Sequence, residues 1–353
     1  MAGTTAEGSP LGPPDLAHDP ADSGPAGLAN AGAGAAPGAG AAGARAEGCE
    51  APDAGGKGAA APGGGVEVGV GRTALLVAAA RAIETRRADA LARDEYAEGF
   101  VRAAGVCAGW PLRPEEVPGG DADPLWGRLG RYFGLRTRVF DDHLLAAARA
   151  GIRQVVLLGA GLDTRAYRLP WPDGCTVFEV DREEVLAFKH RTLDGAAAVP
   201  RARRVALAAD LRQDWAARLR AAGFEPGRPT AWLAEGLLLY LPSAAEAQLM
   251  ATVDALSAPG STFGYEVKYV AESAAVRSSP VYTAARERIG VDLLALFDGD
   301  PRPDSAADLT ARGWRAQVRT PFQFSRRLGR GPLPEPDDAL AANRWTFAVR
   351  PAA

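Results

Sequence analysis

The strongest constraint on the fold of this chain is the alternation of short apolar runs with helical stretches after Gly151. Five such runs follow one another along the chain, at residues 153–161, 175–181, 203–211, 229–241 and 261–269. Short apolar runs that stop at glycine or at polar residues are typical of buried parallel strands, and parallel neighbours need a long crossover connection. The alternation therefore predicts a doubly wound, Rossmann-like α/β fold with a mostly parallel sheet.

Two later runs, 314–320 and 344–351, complete a predicted seven-stranded sheet. Helical pieces over 280–312 form an insertion before these last two strands. Upstream, strong helix formers with apolar residues at helical spacing occupy 73–100, and a second helical stretch covers 125–150, where Gly151 would end it. We therefore predict a helical N-terminal lid over 72–150 and a Rossmann-like core over 151–353.

Residues 1–65 consist almost entirely of Ala, Gly, Pro, Asp and Ser. Gly and Pro break regular structure, and Ala alone offers too little apolar area to offset the entropy lost on ordering. The segment is predicted to be a disordered extension. The folded domain is expected to comprise residues 66–353.

Charge and composition exclude several classes of function. The formal net charge of −3 provides no basic surface for nucleic acid. No apolar stretch is long enough to span a membrane, and the start MAGTTAEGSP lacks the basic residues and apolar core of a signal peptide, so we expect a cytoplasmic protein. Neither a metal site nor disulfides are expected, because the cysteines and histidines are widely scattered: Cys49, Cys107, Cys175, His18, His143 and His190.

The ends of the predicted strands are the places to look for a ligand site, because ligands of open α/β sheets bind at the carboxyl ends of the strands. The first run ends in Gly159 and Gly161, which allow the backbone to turn sharply and approach a ligand closely. The second ends in Asp181, twenty positions after Gly161, where an acid can bind the ribose hydroxyls. The alternative role for Asp181 is a helix N-cap, and one residue could serve as both. A glycine turn followed by this acid predicts a nucleoside ligand.

The remaining strand ends favour one nucleoside over others. Asp210 and Leu211 end the third run, and Glu235 ends the fourth. A dinucleotide fingerprint would have a third glycine where Thr164 stands, and Asp163 in the same turn would oppose a pyrophosphate. The P-loop pattern is absent. S-adenosylmethionine carries no phosphate and has two cationic groups, so an acid-lined site fits it better.

The chain closely resembles the leucine carboxyl methyltransferase-like family, in its bacterial branch of S-adenosylmethionine-dependent methyltransferases. The resemblance is carried by RTRVFDDHLLAAARAGIRQVVLLGAGLDTRAYRLPWPDGCTVFEVDREEVLAFKHRTL, by ALAADLRQDW and PTAWLAEGLLLYLP, and by the upstream TALLVAAARAIETRRADALARDEYA. It covers the chain from about residue 71 to the C-terminus. Because this branch is often linked to polyketide and other natural-product O-methylation, it implies a small-molecule O-methyltransferase that uses S-adenosylmethionine.

The resemblance also implies roles for individual residues at the methionine end of the cofactor. An arginine in the helix before the first strand would pair with the methionine carboxylate; Arg138 is the best match, with Arg136 close by. Glu235 would face the amino group. The alternative for Arg138 is a surface ion pair with Asp141 or Asp142.

At the other end of the cofactor, the resemblance places Gly159 and Gly161 against the ligand and Asp181 on the ribose. Asp210 and Leu211 would flank the adenine. These assignments agree with the positions of the five residues at predicted strand ends.

On the acceptor side, Arg81 and Tyr240 are candidate pocket residues, with a solvated helix face and a core tyrosine as their respective alternatives. Eukaryotic carboxyl methyltransferases of the family use an N-terminal lysine near the cofactor, and residues 73–100 contain none. This departure favours a small-molecule acceptor over a protein. No residue is identifiable as a catalytic base.

Two other functions stay open at this point. A nicotinamide-dependent oxidoreductase would use the same fold, although Thr164 and the lack of a Tyr-x-x-x-Lys pattern or a plausible catalytic histidine disfavour it. A catalytically silent cofactor-binding module is the other, because a fold does not by itself establish an activity.

Overall fold

The computed structural model describes residues 65–268, 274–299 and 301–352. Residues 1–64 and Tyr269, on which two of the predictions fall, lie outside these ranges. Within them, seven strands form one sheet: β1 (Gln154–Leu158), β2 (Thr176–Asp181), β3 (Arg203–Ala208), β4 (Thr230–Ala234), β5 (Thr262–Lys268), β6 (Arg315–Arg319) and β7 (Asn343–Val349).

The strands are arranged in the order β3-β2-β1-β4-β5-β7-β6. The first five are parallel, whereas β7 is antiparallel to both of its neighbours, β5 and β6. The predicted α/β class with a mostly parallel seven-stranded sheet is confirmed. The chain runs outward from β1 to β3 and then returns to the other side of β1 with β4. This reversal creates the crevice at the carboxyl ends of β1 and β4 in which such sheets bind ligands.

Twelve α-helices are found in the part of the chain that the structure describes. They are α1 (Val70–Arg86), α2 (Ala97–Ala103), α3 (Gly130–Arg149), α4 (Arg165–Arg168), α5 (Glu183–Gly195), α6 (Trp215–Ala221), α7 (Ser243–Leu256), α8 (Ala274–Arg277), α9 (Pro280–Ile289), α10 (Leu293–Leu296), α11 (Ser305–Ala311) and α12 (Pro321–Leu328). Among these residues no helix has both the length and the apolar character needed to cross a membrane.

The central strand β1 shows why this sequence forms a two-sided sheet. All five residues of its QVVLL sequence are buried. Val155 and Leu157 pack into the core that contains α1 and α3, while Val156 and Leu158 pack into the core that contains α6 and α7. Because side chains alternate between the two faces of a strand, a continuous apolar run is required when both faces are covered.

The N-terminal helical run 73–100 departs from the prediction, since it forms two helices rather than one. The chain leaves α1 after Arg86, and side chains of its last turn bind the backbone of the following segment. Thr85 Oγ1 accepts a hydrogen bond from the N–H of Asp94 (2.7 Å), and Glu84 Oε1 accepts one from the N–H of Leu91 (2.6 Å). These local side-chain contacts compete with continued helix.

Two helix ends illustrate what the sequence did and did not indicate. Gly151 follows α3 with φ at +102°, which is the left-handed conformation expected of a glycine that ends a helix.

Helix α12 lies between the last two strands, where none was predicted. Its start carries a capping box, in which Thr320 Oγ1 accepts from Gln323 N (3.3 Å) and Gln323 Oε1 accepts from Thr320 N (2.8 Å).

His143 of α3 is buried against the sheet at a position that only a glycine in β5 permits. A Cβ on Gly264 would lie 2.9 Å from His143 Cδ2, and the imidazole contacts the Phe347 ring at a centroid distance of 5.2 Å. Burial lowers the pKa of His143 to about 4, because the charged imidazolium would lose its hydration.

We expect His143 to make the free energy of unfolding depend on pH between about 6.5 and 4. In this window the unfolded chain binds a proton at His143 and the folded chain does not, so stability falls as the pH falls, by at most about 3 kcal/mol. Urea denaturation across this window should show that the free energy of unfolding of His143→Leu falls less steeply with falling pH than that of the wild type. His190→Leu, at an exposed histidine, is the control and should follow the wild type. Parallel curves for all three proteins would contradict the interpretation.

Candidate active site

The turn after β1 brings the backbone close to the crevice. Gly159 and Gly161 have φ values of +64° and +47°, in the left-handed region that favours glycine. A Cβ on Gly159 would lie 2.9 Å from Leu237 Cδ1, so a larger residue at this position would have to displace the end of that side chain. The turn therefore leaves backbone, rather than side chains, facing the crevice.

Asp181 at the end of β2 binds this turn directly. Its Oδ2 accepts a hydrogen bond from the N–H of Gly161 (2.6 Å), and its Oδ1 accepts one from the N–H of Arg182 (2.7 Å). Burial raises the pKa of the Asp181 carboxyl, while the two N–H groups oppose that rise. The parallel pairing of β1 with β2 thus brings together a glycine turn and an acid that are twenty positions apart.

Arg81 of α1 reaches the same turn from the N-terminal helices. Its Nη2 donates to the carbonyl of Leu162 (2.7 Å), and its Nε pairs with Asp94 Oδ2 (3.0 Å). The side chain is only 11% exposed, so it does not belong to a solvated helix face.

Glu235, directly after β4, lies between two guanidinium groups. Its Oε1 is 2.8 Å from Arg136 Nε, and its Oε2 is 2.8 Å from Arg165 Nη2. Burial alone would raise the pKa of Glu235, but the charges of Arg165 and Arg136 hold it below the ordinary value. Glu235 Oε2 and Arg136 Nε make no well-directed hydrogen bond with any described residue, although both are buried. These contacts are therefore ion pairs held by charge rather than by well-aligned hydrogen bonds.

Arg136 and Arg138 are placed very differently by α3. Two positions along a helix correspond to a rotation of about 200°, so the two side chains leave on opposite sides. Arg136 contacts Glu235, whereas Arg138 Nε pairs with Asp142 Oδ2 at 2.8 Å, one helical turn away. The structure thus places the predicted Arg138 in the ion pair with Asp142 that was its alternative, and brings Arg136 to the strand ends.

Arg136 also pairs with an acid that sequence reasoning missed, Glu266 in β5. Arg136 Nη1 lies 2.6 Å from Glu266 Oε2. Glu266 is the single acid of the strand TFGYEVK and lies between Tyr265 and Val267, and an acid that is only 3% exposed needs partners. That isolated charge is the signal that could have identified it.

Arg165 is a second residue that was missed. It lies at the start of α4, beyond the glycine turn, and is 3% exposed. Besides Glu235, its guanidinium pairs with Asp141 (Nε to Oδ1, 2.7 Å) and with Asp163. Against the effect of burial, Arg165 holds the pKa of Asp163 below its ordinary value. The acid in the turn is therefore neutralised by its own neighbour.

Asp210 and Leu211 follow β3 and line the outer part of the same sheet edge. Asp210 pairs with Arg212 (Oδ2 to Nη2, 2.6 Å), and the hydrogen bonds from that side chain lower the pKa of the Asp210 carboxyl. Asp210 also lines a cavity of about 330 Å³ together with Gln213 and Trp215. Leu211 is 9% exposed and belongs to the core around α6.

Tyr240 lies in the short 3₁₀ turn Leu238–Tyr240 after β4. Its hydroxyl donates to Thr73 Oγ1 of α1 (3.4 Å), and its ring lies 6.2 Å from the Phe297 ring, centroid to centroid. Burial raises the pKa of the Tyr240 phenol. Tyr240 therefore connects the strand ends with the N-terminal helix and with the insertion before β6.

Comparison with known proteins identifies the family. The model of the family described as leucine carboxyl methyltransferase matches residues 74–254. The chain belongs to that family. It is 64% identical over 287 residues to a protein of Streptomyces coelicolor named "putative S-adenosyl-L-methionine-dependent methyltransferase", covering 81% of this chain and 95% of the relative. Proteins with the same name from Saccharopolyspora erythraea (49% over 247 residues; 70% and 84% covered) and Mycobacteroides abscessus (47% over 277 residues; 74% and 89% covered) are also similar.

Among solved structures, this leucine carboxyl methyltransferase family member is similar to a putative methyltransferase from Thermobifida fusca, with 17% identity and a TM-score of 0.43. The similarity covers 78% of this chain and 94% of that one. The assignment of the fold rests instead on the strand order described above.

Most of the site lies within the segment that the family model matches. Residues 74–254 contain every site residue predicted from the sequence, together with Arg136 and Arg165. Glu266 and the C-terminal strands lie beyond it. Within the described residues, no group of three His, Cys, Asp or Glu side chains could hold a metal ion.

The positions of the arginines predict unequal contributions to stability. Arg165→Met would leave three buried carboxylates without their shared cation, and we expect the free energy of unfolding to fall by about 3–5 kcal/mol. Arg138→Met removes one partly exposed pair and should cost less than about 1 kcal/mol. Urea denaturation at neutral pH measures both. Equal losses would show that the Arg165 cluster does not stabilise the fold as its burial indicates.

Proposed function

We propose that this protein is an S-adenosylmethionine-dependent O-methyltransferase that acts on a hydroxyl or carboxyl group of a small molecule. The observation that carries the proposal is the buried Arg136–Glu235 pair, which lies at the same edge of the sheet as the glycine turn and Asp181. One end of this edge offers a cation and an anion side by side, and the other offers an acid for a sugar. The methyl donor has the matching groups.

At the methionine end, Arg136 binds the carboxylate and Glu235 binds the ammonium. Arg136 takes this role in place of Arg138, because only Arg136 reaches the strand ends. The opposite charges of Arg136 and Glu235, side by side at the strand ends, support the assignment, since the ligand carries one carboxylate and one ammonium.

At the adenosine end, Asp181 accepts hydrogen bonds from the ribose hydroxyls, and the backbone at Gly159 and Gly161 lies against the ligand. Asp210 and Leu211 flank the adenine. Asp181 and Gly161 are in contact in the structure, which supports this part of the site most directly.

The geometry of α4 argues against a dinucleotide. A pyrophosphate binds at a helix N-terminus through unsatisfied N–H groups. Here the helix after the glycine turn has only four residues, and the N–H of Arg165 already donates to Asp163 Oδ1 (2.7 Å). An oxidoreductase that uses a nicotinamide cofactor is therefore disfavoured.

The chemistry of the proposed reaction asks for positioning more than for acid–base groups. The cofactor would supply a methyl group on a sulfonium. The acceptor oxygen would bond to the methyl carbon in line with the breaking carbon–sulfur bond, and S-adenosylhomocysteine would leave. A carboxylate acceptor is already ionised, whereas a hydroxyl must lose its proton. Arg81 and Tyr240 line the acceptor side, where Tyr240 connects the strand ends to α1 and Phe297 and helps to exclude water. Natural products of secondary metabolism are the acceptor class that the family resemblance favours.

Calorimetric titration tests the cofactor. We expect the full chain to bind S-adenosylmethionine and not NAD, and Asp181→Ala to weaken binding by about a hundredfold or more, because hydrogen bonds to a buried carboxylate are lost. Asp194→Ala, at an exposed acid on α5, is the control and should bind as the wild type does.

Preferential binding of NAD would refute the proposal. Binding of S-adenosylmethionine without methyl transfer to any of a panel of phenols, alcohols and carboxylic acids would favour the silent module instead. With a radiolabelled methyl group, products that release methanol in mild base are esters and stable products are ethers.

The two arginines of α3 provide a separate test of the methionine end. Arg136→Met should lower the affinity for S-adenosylmethionine by roughly tenfold to a hundredfold, since a charge-assisted contact with the carboxylate is lost. Arg138→Met should change it by less than about twofold, because its partner is Asp142. Calorimetry on the two variants measures both effects, and the opposite ranking would restore Arg138 as the ligand of the carboxylate.

A further inference from the structure

We propose that Glu266 is a positioning residue, which holds the Arg136 guanidinium in the orientation that receives the carboxylate of the methyl donor. The inference rests on the proposed function and assigns a role to an acid outside the segment that the family model matches. Glu266 acts through Arg136 and does not itself contact the ligand.

Four hydrogen-bond donors converge on the Glu266 carboxylate. Arg136 Nη1 (2.6 Å) and the N–H of Gly236 (3.1 Å) donate to Oε2, while the Tyr132 hydroxyl and Trp345 Nε1 (3.3 Å) donate to Oε1. An ionised carboxylate offers only acceptors, with about four lone-pair positions, so it can satisfy all four donors at once. No neutral side chain of the same size can do so.

The four donors come from different parts of the fold. Tyr132 and Arg136 lie one turn apart on the same face of α3, Gly236 follows β4, and Trp345 is the residue of β7 directly opposite Glu266 in the antiparallel pairing. Glu266 therefore fixes the position of α3 relative to three strands at the point where Arg136 leaves the helix.

Two further contacts show why the orientation of Arg136 depends on this acid. The guanidinium lies between two carboxylates, Glu266 at Nη1 and Glu235 at Nε, and its Cζ is 4.8 Å from the centre of the Phe133 ring. Without the charge of Glu266, the guanidinium would be attracted by Glu235 alone and would turn toward it. Glu235, which already pairs with Arg136 Nε and Arg165 Nη2, would then draw the Nη groups of Arg136 as well. Neither Arg136 nor Glu235 would be well placed for the zwitterionic end of the ligand.

The experiment compares two probes that differ at this end only. S-adenosylhomocysteine carries the amino and carboxyl groups, and 5′-methylthioadenosine lacks both. In calorimetric titrations of the full chain, we expect Glu266→Gln to weaken binding of S-adenosylhomocysteine by roughly tenfold or more, and binding of 5′-methylthioadenosine by less than about twofold. A merely structural role would weaken both ligands together.

Glu246→Gln is the matched control. Glu246 of α7 is also a fully buried acid with an arginine partner, since Arg302 Nη1 lies 3.1 Å from its Oε2. The same substitution there should leave the ratio of the two affinities unchanged. Glu266→Asp keeps the charge but shortens the reach, so it should lower the ratio less than Glu266→Gln does. If Glu266→Gln does not fold, the comparison of the two ligands is made with Glu266→Asp instead.

The outcomes separate the two proposals. If the Glu266 variants lose affinity for both ligands by the same factor, or lose affinity for neither, the role of Glu266 is overturned while the proposed function stands. A wild-type protein that binds neither probe removes the proposed function and this inference with it. A selective loss of S-adenosylhomocysteine supports both.

Discussion

The carboxyl edge of the sheet depends on arginine side chains buried between acids. Arg136 and Arg165 share Glu235, and each has further carboxylates of its own. Isolated buried charges are very costly, so removal of any one member exposes its neighbours to an uncompensated charge. The ends of β1, β4 and β5 are thus held in place by electrostatics rather than by apolar packing alone.

Much of the fold could be predicted from the sequence, because parallel strands buried on both faces need the continuous apolar runs seen in β1 and β4. The glycine turn and Asp181 could be predicted for a related reason. Their separation of twenty residues spans one crossover connection and strand β2, and the pairing of β1 with β2 fixes where the two strand ends meet. The family resemblance is confirmed, whereas the roles of the individual site residues stay predictions.

The choice between Arg136 and Arg138 could not be made in the same way. Both lie within the matching RTRVFDD segment, and only the rotation of α3 about its axis decides which one faces the strand ends. The contact between Glu266 and Trp345 could not be predicted for another reason. Their contact depends on the antiparallel register of β5 with β7, which joins residues 79 positions apart, and no local periodicity encodes such a pairing.

The position of β7 in the sheet determines when the surroundings of Glu266 can form during synthesis of the chain. Strands β1 to β5 are made in order and can pair as they appear, but β7 comes last and inserts between β5 and the earlier β6. Trp345, which completes the hydrogen bonding around the Glu266 carboxylate, lies in β7. Glu266 in β5 therefore acquires its full set of donors only after β7 has paired with β5, later than the pairing of the five parallel strands.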